Sequence, residues 1–168
     1  MDKDLFHKVK QYAIYKHRFQ QYGSVPYFHH LVHVQQVLKD FGVTDEDILL
    51  AGWLHDAVED TTATITEVED LAGERVADIV YRVTDEEGKN RKERKAKTYL
   101  KIISSASALT IKLADRIANV ETSLQSNLSH FKMYKKEHTE FKNQLYGVFK
   151  SNKVIEQMKT HLDSLLEN

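Results

Sequence analysis

At 168 residues with a formal net charge of −1, the chain is sized for one domain and carries no bulk field that would draw it to nucleic acid or to an anionic membrane. It has no cysteine, which excludes disulfides, thiolate metal sites and thiol catalysis, so any bound metal must be held by His, Asp or Glu. With only 6 Gly and 1 Pro, turn punctuation is scarce, and an all-α fold is favoured over many short strands.

Leu5, Val9, Tyr12 and Ala13 form a first helical stripe, and Leu31, Val34, Val37, Leu38 and Phe41 a second. Thr44 reads as an N-cap, with Asp47 as a carboxylate version of the capping box. From it a helix is expected to run through Ile48, Leu49, Trp53 and Leu54 toward Asp60. Thr66 and Glu69 read as another capping box, and Gly73 as a C-terminal stop. Val76, Ile79, Val80 and Val83 continue the helical spacing. The charged stretch 86–97 reads as a solvated turn at 87–90 passing into a helix. Leu109, Leu113, Ile117 and Val120 mark a further helix. Behind Ser151 a last one carries Val154, Ile155, Met158, Leu162, Leu165 and Leu166. The expectation is about seven to ten helices in one bundle-like domain over residues 1–168. No signal peptide or membrane span is legible, so a cytoplasmic location is expected.

The informative segment is Trp53-Leu54-His55-Asp56-Ala57-Val58-Glu59-Asp60-Thr61. On a helix, His55 and Glu59 are i,i+4 neighbours, as are Asp56 and Asp60. Carboxylates beside apolar neighbours are costly to bury unless a positive charge compensates, and a divalent cation would do so. Further ligands must come from elsewhere in the chain. Asp115, in Leu113-Ala114-Asp115-Arg116-Ile117, is one source, with Asn119 on the same helix face. The start of the second helix is another, with His29, His30 and His33. Blander readings stand beside these. Asp115 could be a surface acid paired with Arg116 or Lys112, and His29 and His33 could be packing or surface histidines. Glu59-Asp60 could be a solvated helix end, although acids at a helix C-terminus oppose its dipole.

Taken together, His30, the segment Trp53–Thr61 and Lys112-Leu113-Ala114-Asp115-Arg116-Ile117-Ala118-Asn119 resemble the HD-domain superfamily. More narrowly, they resemble the hydrolase domain of the RelA/SpoT-type alarmone enzymes and the stand-alone small alarmone hydrolases. Lys16-His17-Arg18, Pro26-Tyr27-Phe28-His29-His30, Val83-Thr84-Asp85 and Arg91-Lys92-Glu93-Arg94-Lys95 add to the likeness. It implies an HD-type helical bundle in which His30, His55, Asp56 and Asp115 ligate one metal, usually Mn2+ in that family. His30 takes the role by its place in the Pro-Tyr-x-x-His word, which His29 and His33 do not fit. The resemblance assigns water activation and proton handling to Glu59 and Asp60. It assigns ribose or phosphate contact, or orientation of the site, to Asn119. Arg18 would lie against a guanine base, and Tyr134 is a weaker candidate for substrate contact. The basic run 89–97 could steer a polyphosphate.

The implied reaction is hydrolysis of the 3′-pyrophosphate of guanosine tetra- or pentaphosphate to GDP or GTP and pyrophosphate. The implied partner is a small nucleotide, with neither nucleic acid nor membrane involved; a homodimer is compatible with so small a domain. Two departures bear on base specificity more than on metal chemistry: the short connection Gln20–Val25, and the large Trp53 where the family carries a smaller aliphatic residue. Two competing readings are an HD phosphohydrolase for another nucleotide (a nucleoside monophosphate, or the 2′-phosphate of NADPH) and a non-catalytic nucleotide-binding module. The module would have no need of Glu59 and Asp60.

Overall fold

Asp2 accepts hydrogen bonds from the backbone N–H groups of Asp4 and Leu5 and so opens α1 (Lys3–Lys16) in the computed structural model, which describes residues 2–167. A two-stranded hairpin follows, β1 (Gln21–Tyr22) against β2 (Val25–Pro26), with Tyr22 opposite Val25. Its turn needs Gly23, whose φ of +64° is costly for any residue with a Cβ. No strand was expected here; two residue pairs are too few to leave a periodicity. The other elements are α2 (Phe28–Asp40), α3 (Glu46–Leu54), α4 (Ala57–Asp60), α5 (Ile65–Ala72), α6 (Glu74–Val83), α7 (Arg91–Ile102), α8 (Ala106–Ser126), α9 (Leu128–Leu145) and α10 (Lys153–Leu166). The fold is all-α apart from the hairpin. Among the described residues no helix is long and apolar enough to cross a membrane.

Three local expectations need correction. The cap of α3 is Asp45, not Thr44: its carboxylate accepts from the N–H groups of Asp47 and Ile48 and is also held by Arg75. An anionic acceptor with its own counter-ion outcompetes a hydroxyl at that position. The capping box of α5 is Thr64 with Glu67, two residues before the expected pair. The same spacing occurs twice in this stretch, and the earlier register is the one that buries Val68 fully. Third, α3 ends at Leu54 instead of running on to Asp60. Gly73 ends α5 as expected, and α7 begins directly behind the turn expected at 87–90, with Asn90 as its N-cap.

The long helix α8 is the hub and packs against α2, α3, α6, α9 and α10. Leu109, Ile111, Leu113, Ile117 and Val120 on it are fully buried, so its apolar side chains point in several directions rather than along one stripe. Each such side chain contributes about 1.5–3 kcal/mol of burial. This makes α8 the stiffest available mount for Asp115 and Asn119. The helices α2 and α3 meet at Gly52. A Cβ there would lie 2.6 Å from Gln35 Nε2 and 2.8 Å from Leu38 Cδ1, both on α2. The buried Gln35 uses that Nε2 to reach the Leu49 carbonyl of α3, at 2.8 Å.

Candidate active site

The end of α3 is what brings His55 and Asp56 together. In a continuous helix, successive side chains diverge by about 100°. Here Asp56 has φ −102° and ψ −2°, and the short α4 restarts behind it. The break turns both side chains to one point, with His55 Nε2 3.0 Å from Asp56 Oδ2. From α2, His30 Nε2 comes within 3.4 Å of His55 Nε2 and 3.6 Å of Asp56 Oδ2. From α8, Asp115 Oδ1 lies 3.4 Å from His30 Nε2 and 3.8 Å from His55 Nε2. All four donor atoms fall within 4.8 Å of one another.

The contacts around this cluster leave its donor atoms facing inward. His55 Nδ1–H donates to the Gly52 carbonyl at 3.0 Å, which leaves the Nε2 lone pair free. The Tyr27 hydroxyl donates to Asp56 Oδ2. Lys112 Nζ holds Asp115 Oδ2 at 3.1 Å, so Oδ1 is the oxygen turned to the histidines. His30 departs from the pattern: its buried Nδ1 has no partner among the described residues.

Electrostatically the cluster calls for positive charge. Burial disfavours a charged imidazole at His30, yet Asp115 and Asp56 lift it to about 9. His55 is raised by the same contest, against its own burial. Burial works against ionisation of both carboxyls. His55 and His30 nevertheless hold Asp56, and Lys112 and His30 hold Asp115, well below the usual carboxylate range. Two imidazole nitrogens and two anionic oxygens, mutually close and short of cations, fit a divalent metal ion in kind and number.

Beside the cluster lies a cavity of about 160 Å³ whose lining carries both signs of charge. Asp56, Glu59, Asp60 and Asp115 are its acids; Arg91, Lys95, Lys112 and Arg116 are its cations. Glu59 and Asp60 therefore share the cavity with Asp56 and Asp115 of the cluster. Burial, with Asp85 and Asp56 nearby, raises the Glu59 carboxyl. Burial and Asp56 raise that of Asp60. Glu59 Oε2 accepts from the Asp85 N–H at 2.9 Å, and Asp60 Oδ2 accepts from Gln20 Nε2 at 2.8 Å.

The other expected residues divide. Tyr134 lines the cavity, with the Arg116 guanidinium 4.8 Å from its ring centre. Asn119 lines it too, but its amide is committed. Nδ2 donates to the Asp115 backbone carbonyl and carboxylate, and Oδ1 accepts from the Tyr22 hydroxyl at 2.7 Å. Arg18 is not in the cavity wall; it is exposed, with its guanidinium over Tyr15 and Phe19. His29 is exposed against Phe28, and His33 bonds Glu121, so neither joins the cluster. Trp53 packs edge-on against Phe6 of α1 and does not line the cavity. Asp115 pairs with Lys112, while Arg116 turns to Glu137 on α9. Sequence reasoning missed Tyr27, Gln20, Asp85 and Glu137. Each acts across a long chain separation, which no local pattern reports.

A sequence profile described as an HD domain matches residues 10–140. The guanosine-3′,5′-bis(diphosphate) 3′-pyrophosphohydrolase MESH1 of Drosophila melanogaster is 39% identical over 120 residues, covering 68% of this chain and 67% of that protein. The GTP pyrophosphokinase rsh of Brucella melitensis is 35% identical over 130 residues, covering 73% of this chain and 17% of its own length. A solved structure of a metazoan ortholog of SpoT, described as hydrolysing ppGpp and playing a role in starvation responses, matches with a TM-score of 0.81. It is 30% identical, and the match covers 98% of this chain and 96% of that one.

Proposed function

The chain belongs to the HD-domain family, and from that premise we propose that it hydrolyses the 3′-pyrophosphate of a guanosine tetra- or pentaphosphate, releasing pyrophosphate and GDP or GTP. The observation that carries the reading is one cavity that brings together Asp56 and Asp115 of the four-donor cluster, two further carboxylates, and four cations able to meet a polyphosphate. Similarity to MESH1 and to the SpoT ortholog supplies the nucleotide.

In this reading His30, His55, Asp56 and Asp115 hold the metal, and Mn2+ is the ion we assign. When bound, such an ion polarises a phosphoryl oxygen and makes water more acidic. Glu59 takes the proton of the attacking water, a task suited to a carboxyl that burial raises above its ordinary value. The new bond forms between the water oxygen and the phosphorus that carries the ribose 3′-oxygen, and the bond from that phosphorus to the 3′-oxygen breaks. Asp60, raised for a similar reason, returns a proton to the released 3′-oxygen. Arg91, Lys95, Lys112 and Arg116 of the lining take up the negative charge of the diphosphate and keep it in line. Asn119 orients Asp115 through its committed amide, and the Tyr134 hydroxyl faces the phosphates. Arg18 lies two residues before Gln20, the partner of Asp60, and would meet a base only by leaving its contacts with Tyr15 and Phe19. The reading takes the chain as one domain working in the cytoplasm on a small nucleotide.

The test is release of phosphate and pyrophosphate from guanosine tetraphosphate, GTP, dGMP and NADPH with Mn2+, each with an EDTA control. Pyrophosphate from the tetraphosphate alone, abolished by EDTA, is the expected result. Metal-dependent release from another member of the panel would keep the site and replace the substrate. Tight nucleotide retention with no product would favour a binding module.

A further inference from the structure

The basic run 89–97 does not act as a block. Lys89, Lys92 and Lys97 are exposed, whereas Arg91 and Lys95, one helical turn apart on α7, turn into the cavity wall. Each cation of the cavity lining is paired with a carboxylate. Lys112 has Asp115, and Arg91 and Arg116 share Glu137. Lys95 has Asp85, at 2.8 Å, and the two side chains are only 14% and 7% exposed.

Asp85 does not line the cavity, yet it touches two residues that do. Its backbone N–H donates to Glu59, and its carboxylate holds Lys95. Thr98, fully buried on α7, lies 3.4 Å from the same carboxylate and accepts the N–H of Glu86. The loop leaving α6 is thereby fastened to α7 beside the cavity.

We propose that Lys95 is a further substrate-binding residue, whose ammonium meets the diphosphate, and that Asp85 is the positioning residue that fixes it in the cavity wall. The assignment rests on a diphosphate being what the cavity holds. A buried ammonium near Lys112 is disfavoured both by burial and by that neighbour, and Asp85, in direct contact, opposes them more than Glu59 does. Removing the Asp85 charge therefore weakens anion binding, although it also removes a negative charge from the neighbourhood. The bond from residue 85 to Glu59 comes from the backbone and survives a side-chain change.

The test is calorimetric titration of inorganic pyrophosphate into the Mn2+-loaded wild type, Lys95→Gln, Asp85→Asn and the double variant, with thermal unfolding to establish that each is folded. Lys95→Gln should weaken binding about 10- to 100-fold, the scale of one charge-assisted hydrogen bond. Asp85→Asn should weaken it about 5- to 20-fold, and should add nothing on the Lys95→Gln background. In steady-state hydrolysis both should raise KM and leave kcat within about threefold of wild type. Wild-type pyrophosphate affinity in Lys95→Gln, or no pyrophosphate binding by the wild type, overturns the Lys95 assignment. A full Asp85→Asn effect persisting in the double variant overturns the positioning role. Lys95-dependent pyrophosphate binding by a protein that hydrolyses no nucleotide of the panel upholds the assignment, and it is then the reaction that is wrong.

Discussion

Among the described residues two groups of histidine and carboxylate bring three or more ligand-type atoms together, and they are solved in opposite ways. At the junction of α9 and α10, His138, Asp163 and Glu167 gather ligand-type atoms much as the cavity cluster does. There, however, Lys142 Nζ sits 3.0 Å from Asp163 and 2.7 Å from Glu167, and Tyr146 donates to Asp163 at 2.9 Å. The cluster carries its own cation and is complete. In the cavity the one ammonium in contact, Lys112, holds the outer oxygen of Asp115, and nothing cationic faces the inner atoms except the histidines themselves. Residue types alone do not make a metal centre. What separates the two clusters is whether the protein has already supplied the positive charge.

The largest expected effect comes from breaking the cavity cluster. Asp115→Ala should abolish both metal binding and hydrolysis, read by metal analysis of the purified protein and by the panel assay. It also strips Lys112 of its partner, so Asp56→Asn, which leaves that pair intact, should give the same double loss. Metal retained at wild-type stoichiometry in both variants would sink the ligand assignment. Next in size is Glu59→Gln: kcat should fall about 10²- to 10⁴-fold, the range for loss of a general base, with bound metal unchanged. Normal turnover would remove Glu59 from the chemistry.

The smallest effect belongs to the distal cluster and sharpens the contrast. His138→Gln should leave metal content and activity unchanged. Its signature should be a pH dependence of stability. Burial holds His138 below the usual imidazole range, although Asp163 pulls the other way. Such a group binds its proton more readily in the unfolded chain. Its stabilisation is therefore complete above about pH 6.5 and is lost as pH falls through that value toward the folded one. Burial opposes ionisation of Asp163, but Lys142, Tyr146 and His138 hold it low, so it adds a loss of the same sign at lower pH. A plot of Tm between about pH 7.5 and 5 should be flatter in His138→Gln than in the wild type. Parallel curves would show that this corner does not contribute.

Most of the fold was legible in the sequence because helical stripes are local. Leu31, Val34 and Leu38, like Ile117 and Val120, sit in the core as their spacing requires. Of the candidate site, His30, His55, Asp56, Asp115, Glu59 and Asp60 were legible through their motif; the first four gather in one cluster, and Glu59 and Asp60 line the cavity with Asp56 and Asp115. The Lys112–Asp115 pair, one helical turn apart, was legible as an alternative; it proved to be a support of the cluster rather than a rival to it. The backbone break at Asp56 was not legible, since Leu54 to Asp60 contains neither Gly nor Pro to announce it. Nor were the partners that tune the site. Tyr27 reaches Asp56, Asp85 reaches Glu59, and Glu137 reaches Arg91 and Arg116 across gaps of 21 to 46 residues. Those pairings are decided by how helices stack, which no short window of sequence contains.

Gly52 gives this stacking an unusual lever. Two of the four donor atoms ride on α2 and on the end of α3, and the separation of those helices is set where a side chain is missing. A single added carbon would push on the ends of the Gln35 and Leu38 side chains, and Gln35 would have to reset its bond to the Leu49 carbonyl. The helices that carry His30 and His55 are thus joined by a contact in the apolar core that no inspection of ligands would flag.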